Sequence, residues 1–376
     1  MKQFDYIIAG GGSAGLTLAY LLLVKGNSKK NILIIDKDDK TANDRTWCFW
    51  EKGGNLLENL VCKDWGKAEF SSSNFSHVYD ISPYRYKMIR GIDFYKFMKI
   101  ELRKYKNLTW VSAEIHKITN DGVLKTDGQS YSADYIFNST AGLKDFNIPQ
   151  KNIQFLQHFK GKFIKTDKPT FDEGTMTYMD FRIDQAGDCR FGYVLPFSAT
   201  EALVEYTIFS ENLLTPKEYE DGVNNYIEDF LNIEDYSVTE EEFGVIPMTD
   251  FPFPLQNGKV VNIGISGGFA KASTGYTFLR SQQILSKMAS NLDNDLAPTD
   301  NLPHQSSRFK KYDSTLLKVL QGGKPMGAEV FASLFKKNGA QAVFKFLDEE
   351  TSLIEEIKIM STTPILTFGK AFLKSF

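Results

Sequence analysis

Two groups of residues in this chain have types and spacing suited to chemistry. The first is Gly10, Gly12 and Gly15 in "AGGGSAG", with Asp36 at the end of "NILIID". Glycines in G-x-G-x-x-G order let the chain turn tightly, approach a pyrophosphate closely and lay a helix against a strand. An acid about 20 residues further on can accept a hydrogen bond from a ribose hydroxyl. That is the chemistry of dinucleotide binding. The second group is acidic. Glu205 sits in "ALVEYTIFS" and Asp180 in "YMDF", each inside an apolar run. Such a carboxylate either faces water on the outer side of a sheet or is buried. A buried one has its pKa raised, because burial disfavours the charged form. It then keeps its proton near neutral pH and can act as a general acid.

The elements around these residues can be read from pattern. Phe4 to Ala9 is short and apolar, as a buried parallel strand is. A helix opening at Ser13 follows the glycines, and its free N–H groups suit a phosphate. The second strand, 31–36, delivers Asp36. Residues 92–106 predict a helix, with Phe94, Phe97, Met98, Leu102 and Tyr105 at three- and four-residue steps. Residues 108–142 predict short strands, with turns at "NDG" and "TDG". Residues 150–250 read as an antiparallel sheet with one acidic helix near 216–232. Within it, alternation puts Leu203, Glu205, Thr207 and Phe209 on one face and Ala202, Val204, Tyr206 and Ile208 on the other. Residues 259–288 again read as strand, glycine turn and helix, and the remainder is mostly helical.

The expected architecture is therefore α/β. A discontinuous Rossmann-like nucleotide-binding domain covers 1–145 and 256–295. An antiparallel β domain for substrate covers 146–255, and a helical region covers 296–376.

Composition narrows the function classes. The chain has 376 residues, 42% hydrophobic and 24% charged, with a net charge of −3, so a large core is expected and a nucleic-acid surface is not. Three cysteines form no C-x-x-C pair and four histidines are scattered, so neither a disulfide framework nor a metal site is expected. The chain opens into a strand without a signal-peptide pattern, and its longest apolar run, 16–24, is shorter than the ~20 residues of a spanning helix. These features predict a cytoplasmic protein. Its tail, "PILTFGKAFLKSF", carries Phe368, Phe372 and Phe376 at four-residue steps with Lys370 and Lys374 elsewhere. That pattern suits a helix lying in a membrane interface, or one docking its Phe stripe on the core.

Four further motifs follow the glycines in order: "DRTWCFW" (44–50), "VLPFSATEALVEYT" (194–207), "GVIPM" (244–248) and "GISGGFAKASTGYTF" (264–278). Together they resemble the bacterial lycopene β-cyclases, flavoproteins related to the aromatic hydroxylase-like FAD proteins. The likeness runs from residue 4 to about 290.

The resemblance implies conversion of the ψ-ends of lycopene to β-ionone rings, through γ-carotene to β-carotene, with no net redox change. It also implies reduced FAD, with NAD(P)H as the reductant of the flavin. Gly10, Gly12, Ser13, Gly15 and Asp36 take the FAD-binding role. Arg45 would contact phosphate or flavin, and Gly267 and Gly268 would lie against the flavin. Glu205 matches the family's essential glutamate, while Tyr206 stands where many relatives carry a second one. Ring closure needs protonation at C1=C2, attack by C5=C6 and loss of a proton from C6. Asp180 is a second acid that would assist or take up that proton. Trp47, Phe49, Trp50, Tyr206 and Tyr276 are candidates to face the cation. The water-insoluble substrate implies peripheral contact with the inner face of the membrane.

Three features weigh on other readings. "FLDEETS" (346–352) looks like a plant-type acidic motif by its letters, but its place in the chain reads as a solvated charge run. A flavin monooxygenase or prenyl reductase would share the fold. "NIGISGG" lacks the Asp that hydroxylases of this type usually carry after that strand. A prenyl-binding protein with no catalytic acid would not need the intact glycine fingerprint with Asp36.

Overall fold

The first strand of the computed structural model, which describes residues 1–323 and 327–374, spans Lys2–Ala9 and buries its last four residues. Ile32–Asp36 pairs parallel to it on one side and Ser130–Asn138 on the other. Leu108–Ser112 and Val260–Asn262 extend the same sheet outward, again in parallel. Parallel strands need crossover connections, and helices supply those from the first strand to Ile32–Asp36 and from there to Leu108–Ser112. The helices Ser13–Tyr20, Gly91–Leu102 and Phe278–Asp293 pack about the first of them. A hairpin, Ile115–Thr119 with Val123–Thr126, lies over the other face, where Leu124 joins Ile7, Leu33, Ile35 and Ile136 in one apolar cluster. This Rossmann-like unit comprises residues 1–47, 89–152 and 251–305.

The second unit comprises 48–88, 153–250 and 306–376. Its sheet has seven strands, in the order Ser237–Thr249, Gln154–Lys165, Glu201–Ser210, Cys189–Pro196, Thr175–Asp180, Lys67–Ser72, Phe75–Asp80. All neighbours are antiparallel except Thr175–Asp180 with Lys67–Ser72. One face is covered by the helix Pro216–Asn225. Pro at its first turn and a capping box between Thr215 and Glu218 start that helix. Tyr219, Val223, Tyr226 and Ile227 seal it onto Val204, Tyr206 and Ile208.

The units divide the chain differently from the sequence expectation. Residues 48–88 belong with the antiparallel sheet, because Lys67–Ser72 and Phe75–Asp80 complete it. The helical region from 306 also belongs there. Phe331 and Phe335 of the helical run Gly327–Leu347, which breaks at Gly339, stack on Phe181 and Phe70.

Candidate active site

Glu205 lies in the middle of the Glu201–Ser210 strand, and every residue from Ala202 to Ser210 is buried. The helix-covered face takes the even-numbered residues, so Leu203, Glu205, Thr207 and Phe209 point to the opposite face, as alternation requires. Register then assembles a site across three strands. Glu205 is opposite Gly161, and Gly161 is opposite Glu242 of the next strand. Strands lie about 4.8 Å apart, so the backbones of the two glutamates are separated by two such spacings. Gly161 closes the gap by having no side chain. A Cβ there would lie 2.9 Å from Glu242 Cγ and 3.1 Å from Glu205 Cγ. The two carboxyl stems lean over the glycine and the carboxyls hydrogen-bond to each other.

A carboxyl can donate to another carboxyl only if one of them keeps its proton. Burial pushes Glu205 well above the usual carboxylate range, and the charge and hydrogen bond of Glu242 push the same way, with only Thr207 opposing. Glu242 itself is buried. Like-charged carboxyls at contact distance share a proton, and they titrate as a pair.

The surroundings are apolar and aromatic. Tyr193 is opposite Glu205 on the other neighbouring strand, and its hydroxyl lies 2.7 Å from that of Tyr86. The Cys48 thiol hydrogen-bonds to Tyr193. Burial raises its pKa well above the ordinary thiol value, and the charges of Glu205 and Glu242 add to that. Cys48 is therefore a neutral, inert member of the site at neutral pH.

The glycine fingerprint forms the second candidate site, in the Rossmann-like unit. Gly10 adopts φ +99°, a conformation that favours glycine. A Cβ at Gly15 would collide with the carbonyl oxygen of Gly10, so the helix sits against the turn as the motif demands. A Cβ at Gly12 would meet nothing within 4 Å. Gly12 is also the N-cap of the helix Ser13–Tyr20, which has no side-chain cap and no acid in its first turn. Open space beside uncapped N–H groups at a helix start is what a diphosphate requires. Asp36 Oδ2 accepts from the Gly11 N–H at 2.6 Å, which fixes the acid beside the turn. Gly268 is left-handed at φ +71°, and a Cβ at Gly267 would strike the Asn262 carbonyl oxygen. Arg45 projects to solvent beside Asp44, 3.5 Å away. The Ser273 hydroxyl is buried without a hydrogen-bond partner among the described residues. The residues present fit a bound dinucleotide.

Other residues singled out in the sequence lie elsewhere. Asp180 is on the helix-covered face of the sheet, away from the face that carries Glu205. The Arg182 guanidinium grips it in a fork, with Nε–Oδ1 at 2.9 Å and Nη2–Oδ2 at 2.5 Å, and Tyr226 Oη donates at 3.1 Å. Tyr206 also faces the helix, and Arg190 donates to its hydroxyl. Trp47 stacks on Phe278 in the Rossmann-like unit, where Tyr276 also lies. Trp50 stacks on Phe344 in the other unit and donates to Asp348 at 2.8 Å; Phe49 is buried there too.

Asp348 belongs to the "FLDEETS" run. Glu350 of the same run pairs with Lys52. The run is thus a turn that holds the Thr46–Glu51 strand, not a free charged surface. In the tail helix Ile365–Leu373, Phe368 packs beside Val319 and Val330 and Phe372 lies against Tyr312, so the Phe stripe docks inward. Phe376 lies outside the described residues.

Glu242 was missed by sequence reasoning. It ends the run Glu240–Glu242, which reads as a solvated edge until the register is known. Its one signal is its position, two residues before the quoted "GVIPM". Among the described residues no cluster of His, Cys, Asp and Glu is placed to hold a metal, and no helix is long and apolar enough to cross a membrane.

Comparison with known proteins bears on this geometry. Residues 5–372 match the family described as lycopene cyclase protein. The chain belongs to that family. Among curated relatives, neoxanthin synthase of Solanum lycopersicum is 26% identical over 326 residues, 79% of this chain and 62% of the relative. The Solanum tuberosum counterpart is 25% identical over 319 residues, with the same coverage. The chain thus spans under two thirds of the length of these relatives.

The fold is shared with solved structures at low identity. A geranylgeranyl bacteriochlorophyll reductase-like protein from Thermoplasma acidophilum superposes with a TM-score of 0.70 at 12% identity, covering 100% of both chains. The flavin-dependent brominase Bmp2 gives 0.58 at 12% identity, covering 99% of this chain and 94% of that one. The expected Rossmann-like FAD-protein fold is therefore present.

Proposed function

We propose that this protein is a lycopene β-cyclase, in which the Glu205–Glu242 pair supplies and recovers the proton of ring closure. The observation that carries this reading is the buried, hydrogen-bonded carboxyl pair. An isolated alkene is a weak base, so its protonation needs a neutral acid held out of water. Glu205 meets that requirement: burial keeps its proton on, and Glu242 reinforces this.

Atoms balance without a further reagent. Glu205 gives a proton at C1=C2. The C5=C6 pair forms the new C–C bond and leaves a cation at C5. Glu242, as the ionised partner, takes the proton from C6. The hydrogen bond between the carboxyls then lets the proton return to Glu205. Tyr193, Tyr86 and the Phe residues of that face offer ring faces to positive charge. Cys48 stays neutral for the reason given above.

FAD fits the glycine site and, when reduced, would add electron density that stabilises cationic character. Gly10, Gly12, Ser13 and Gly15 would hold its diphosphate and Asp36 its ribose. Arg45 would contact phosphate or flavin, and Gly267 and Gly268 would lie against the flavin. NAD(P)H would serve as reductant of the flavin. A substrate this apolar resides in bilayers, so peripheral attachment to a membrane belongs to the reading.

The test is pigment analysis of lycopene-accumulating bacteria carrying the gene. Wild type should convert lycopene to ring-bearing products isomeric with it, and Glu205→Gln should leave lycopene unchanged. Hydroxylated or hydrogenated products would instead identify a flavin oxidoreductase.

A further inference from the structure

Among the described residues, large apolar side chains exposed to solvent are few along most of the chain, yet six of the fifteen fall within residues 353–373. They are Leu353, Ile354 and Ile357 on the helix Leu353–Met360, and Ile365, Leu366 and Leu373 on the helix Ile365–Leu373. Their exposures run from 60% to 81%. Clustering of this kind marks an interaction surface, whereas single exposed apolar residues do not.

The inward faces of both helices are already occupied. On the first, Glu356 is fully buried and accepts from Arg308 at 3.1 Å and from Tyr312 Oη at 3.0 Å, and Ile359 is buried beside it in the sequence pattern. On the second, Phe368, Ala371 and Phe372 face the protein. The apolar residues counted above are therefore the outward faces. Four residues, 361–364, join the two helices.

Charge selects the partner. The acids of the first helix already have basic partners: Glu355, at the surface, pairs with Lys345 at 2.6 Å, and buried Glu356 with Arg308. The exposed charges that remain on the two helices and the residue after them are Lys358, Lys370 and Lys374. Lys358 is four residues beyond Ile354, and Lys370 four beyond Leu366, so each lies on the same side of its helix as an exposed apolar residue. Apolar side chains with a basic rim suit the boundary between acyl chains and anionic headgroups. A second copy of this surface would bring like charges together.

We propose that the outward faces of these two helices form a docking surface for an anionic lipid bilayer. The proposal rests on the cyclase reading only in giving membrane attachment a purpose. It reverses the orientation that the Phe stripe suggested, since Phe368 and Phe372 point inward and the opposite face meets the lipid.

The experiment is vesicle flotation of the purified full chain, with phosphatidylcholine vesicles with and without phosphatidylglycerol. Wild type should float, and more so with phosphatidylglycerol. The double variant Ile354→Glu with Leu366→Glu should lose flotation by about tenfold or more, with an unchanged melting temperature because both side chains are in solvent. Lys358→Glu with Lys370→Glu should lose only the phosphatidylglycerol-dependent part. Ile100→Glu, an exposed apolar site on the other unit, should float as wild type does. Undiminished flotation of the Ile354/Leu366 variant overturns the proposal. So does a wild-type dimer in solution that this variant converts to monomer, which would make the surface a self-association face. Flotation needs no substrate, so a chain that floats yet forms no rings refutes the cyclase reading and leaves this surface standing.

Discussion

Glu205 and Glu242 hydrogen-bond to each other over Gly161, a position where any side chain would stand between them. The glycine therefore sets the contact between the acids. In Gly161→Ala the new Cβ would lie 2.9–3.1 Å from both glutamates and from Leu203, so those side chains must shift. Overpacking of this kind costs about 1–3 kcal/mol. Ring formation should fall much more than stability does, by about 100-fold, because the pair would be forced apart. Equal activity in folded Gly161→Ala would show that the contact is dispensable.

The pair also fixes a pH dependence. In the proposed mechanism Glu205 reacts in its protonated form, so activity should fall as pH rises through the apparent pKa of the pair. Stability should move the same way. A carboxyl whose pKa is raised by folding binds more protons in the folded state, so stability is full below the unfolded value of 4.5 and declines as pH rises toward the folded one. Glu205→Gln removes the ionisation. Its melting temperature should fall less than that of wild type as pH rises from 4.5, and calorimetry across that rise checks the sign.

How much of this was legible in the sequence follows from how local each signal is. Gly10, Gly12, Gly15 and Asp36 sit in one strand–turn–helix–strand unit, and backbone geometry alone demands those residue types. The face of Glu205 followed from two-residue alternation, which needs no knowledge of neighbours. Glu242 did not follow. It comes 37 residues after Glu205, on a strand that pairs with the Gln154–Lys165 strand and not with that of Glu205, so two registers had to be known. Asp180 misled for a related reason. Its apolar run is real, but the bulge between Thr177 and Asp180 and the helix carrying Tyr226 decide which face it takes.

Asp180 should behave as a structural acid. Removing its charge in Asp180→Asn weakens the fork to Arg182 and the bond from Tyr226 Oη. Hydrogen bonds to a charged group are worth about 1.5–3 kcal/mol when buried, and the half-exposed Arg182 side chain reduces that. The expected result is a loss of about 1–2 kcal/mol in a denaturant melt. Cyclisation by the folded variant should stay near wild type. Loss of ring formation in a well-folded Asp180→Asn would return this residue to the chemistry.

His158 should govern the acid limb of stability. It is fully buried between Tyr219 Oη at 2.6 Å and Ser210 Oγ at 2.8 Å. Burial is the main cause that lowers its pKa to about 4 from 6.5. The folded state therefore resists a proton that the unfolded chain accepts. The stability involved is full above pH 6.5 and is lost as pH falls toward 4. A shift of that size corresponds to about 3 kcal/mol. His158→Gln should flatten the decline between those pH values, at the cost of a lower melting temperature at neutral pH.

The glycine fingerprint allows fold and cofactor to be separated with two neighbouring substitutions. At Gly15 a methyl group would run into the Gly10 carbonyl oxygen, so Gly15→Ala must displace the helix Ser13–Tyr20 from the turn, and stability and flavin should be lost together. At Gly12 a methyl group meets no protein atom within 4 Å. Gly12→Ala should therefore leave the melting temperature of the flavin-free protein unchanged. The methyl group would instead occupy the space into which a diphosphate approaches the uncapped helix start. FAD affinity should drop by about tenfold or more, equivalent to about 1.4 kcal/mol. Titration of flavin-free protein with FAD, followed by flavin fluorescence, measures this. Wild-type affinity in Gly12→Ala would mean that the phosphates do not pass over this turn.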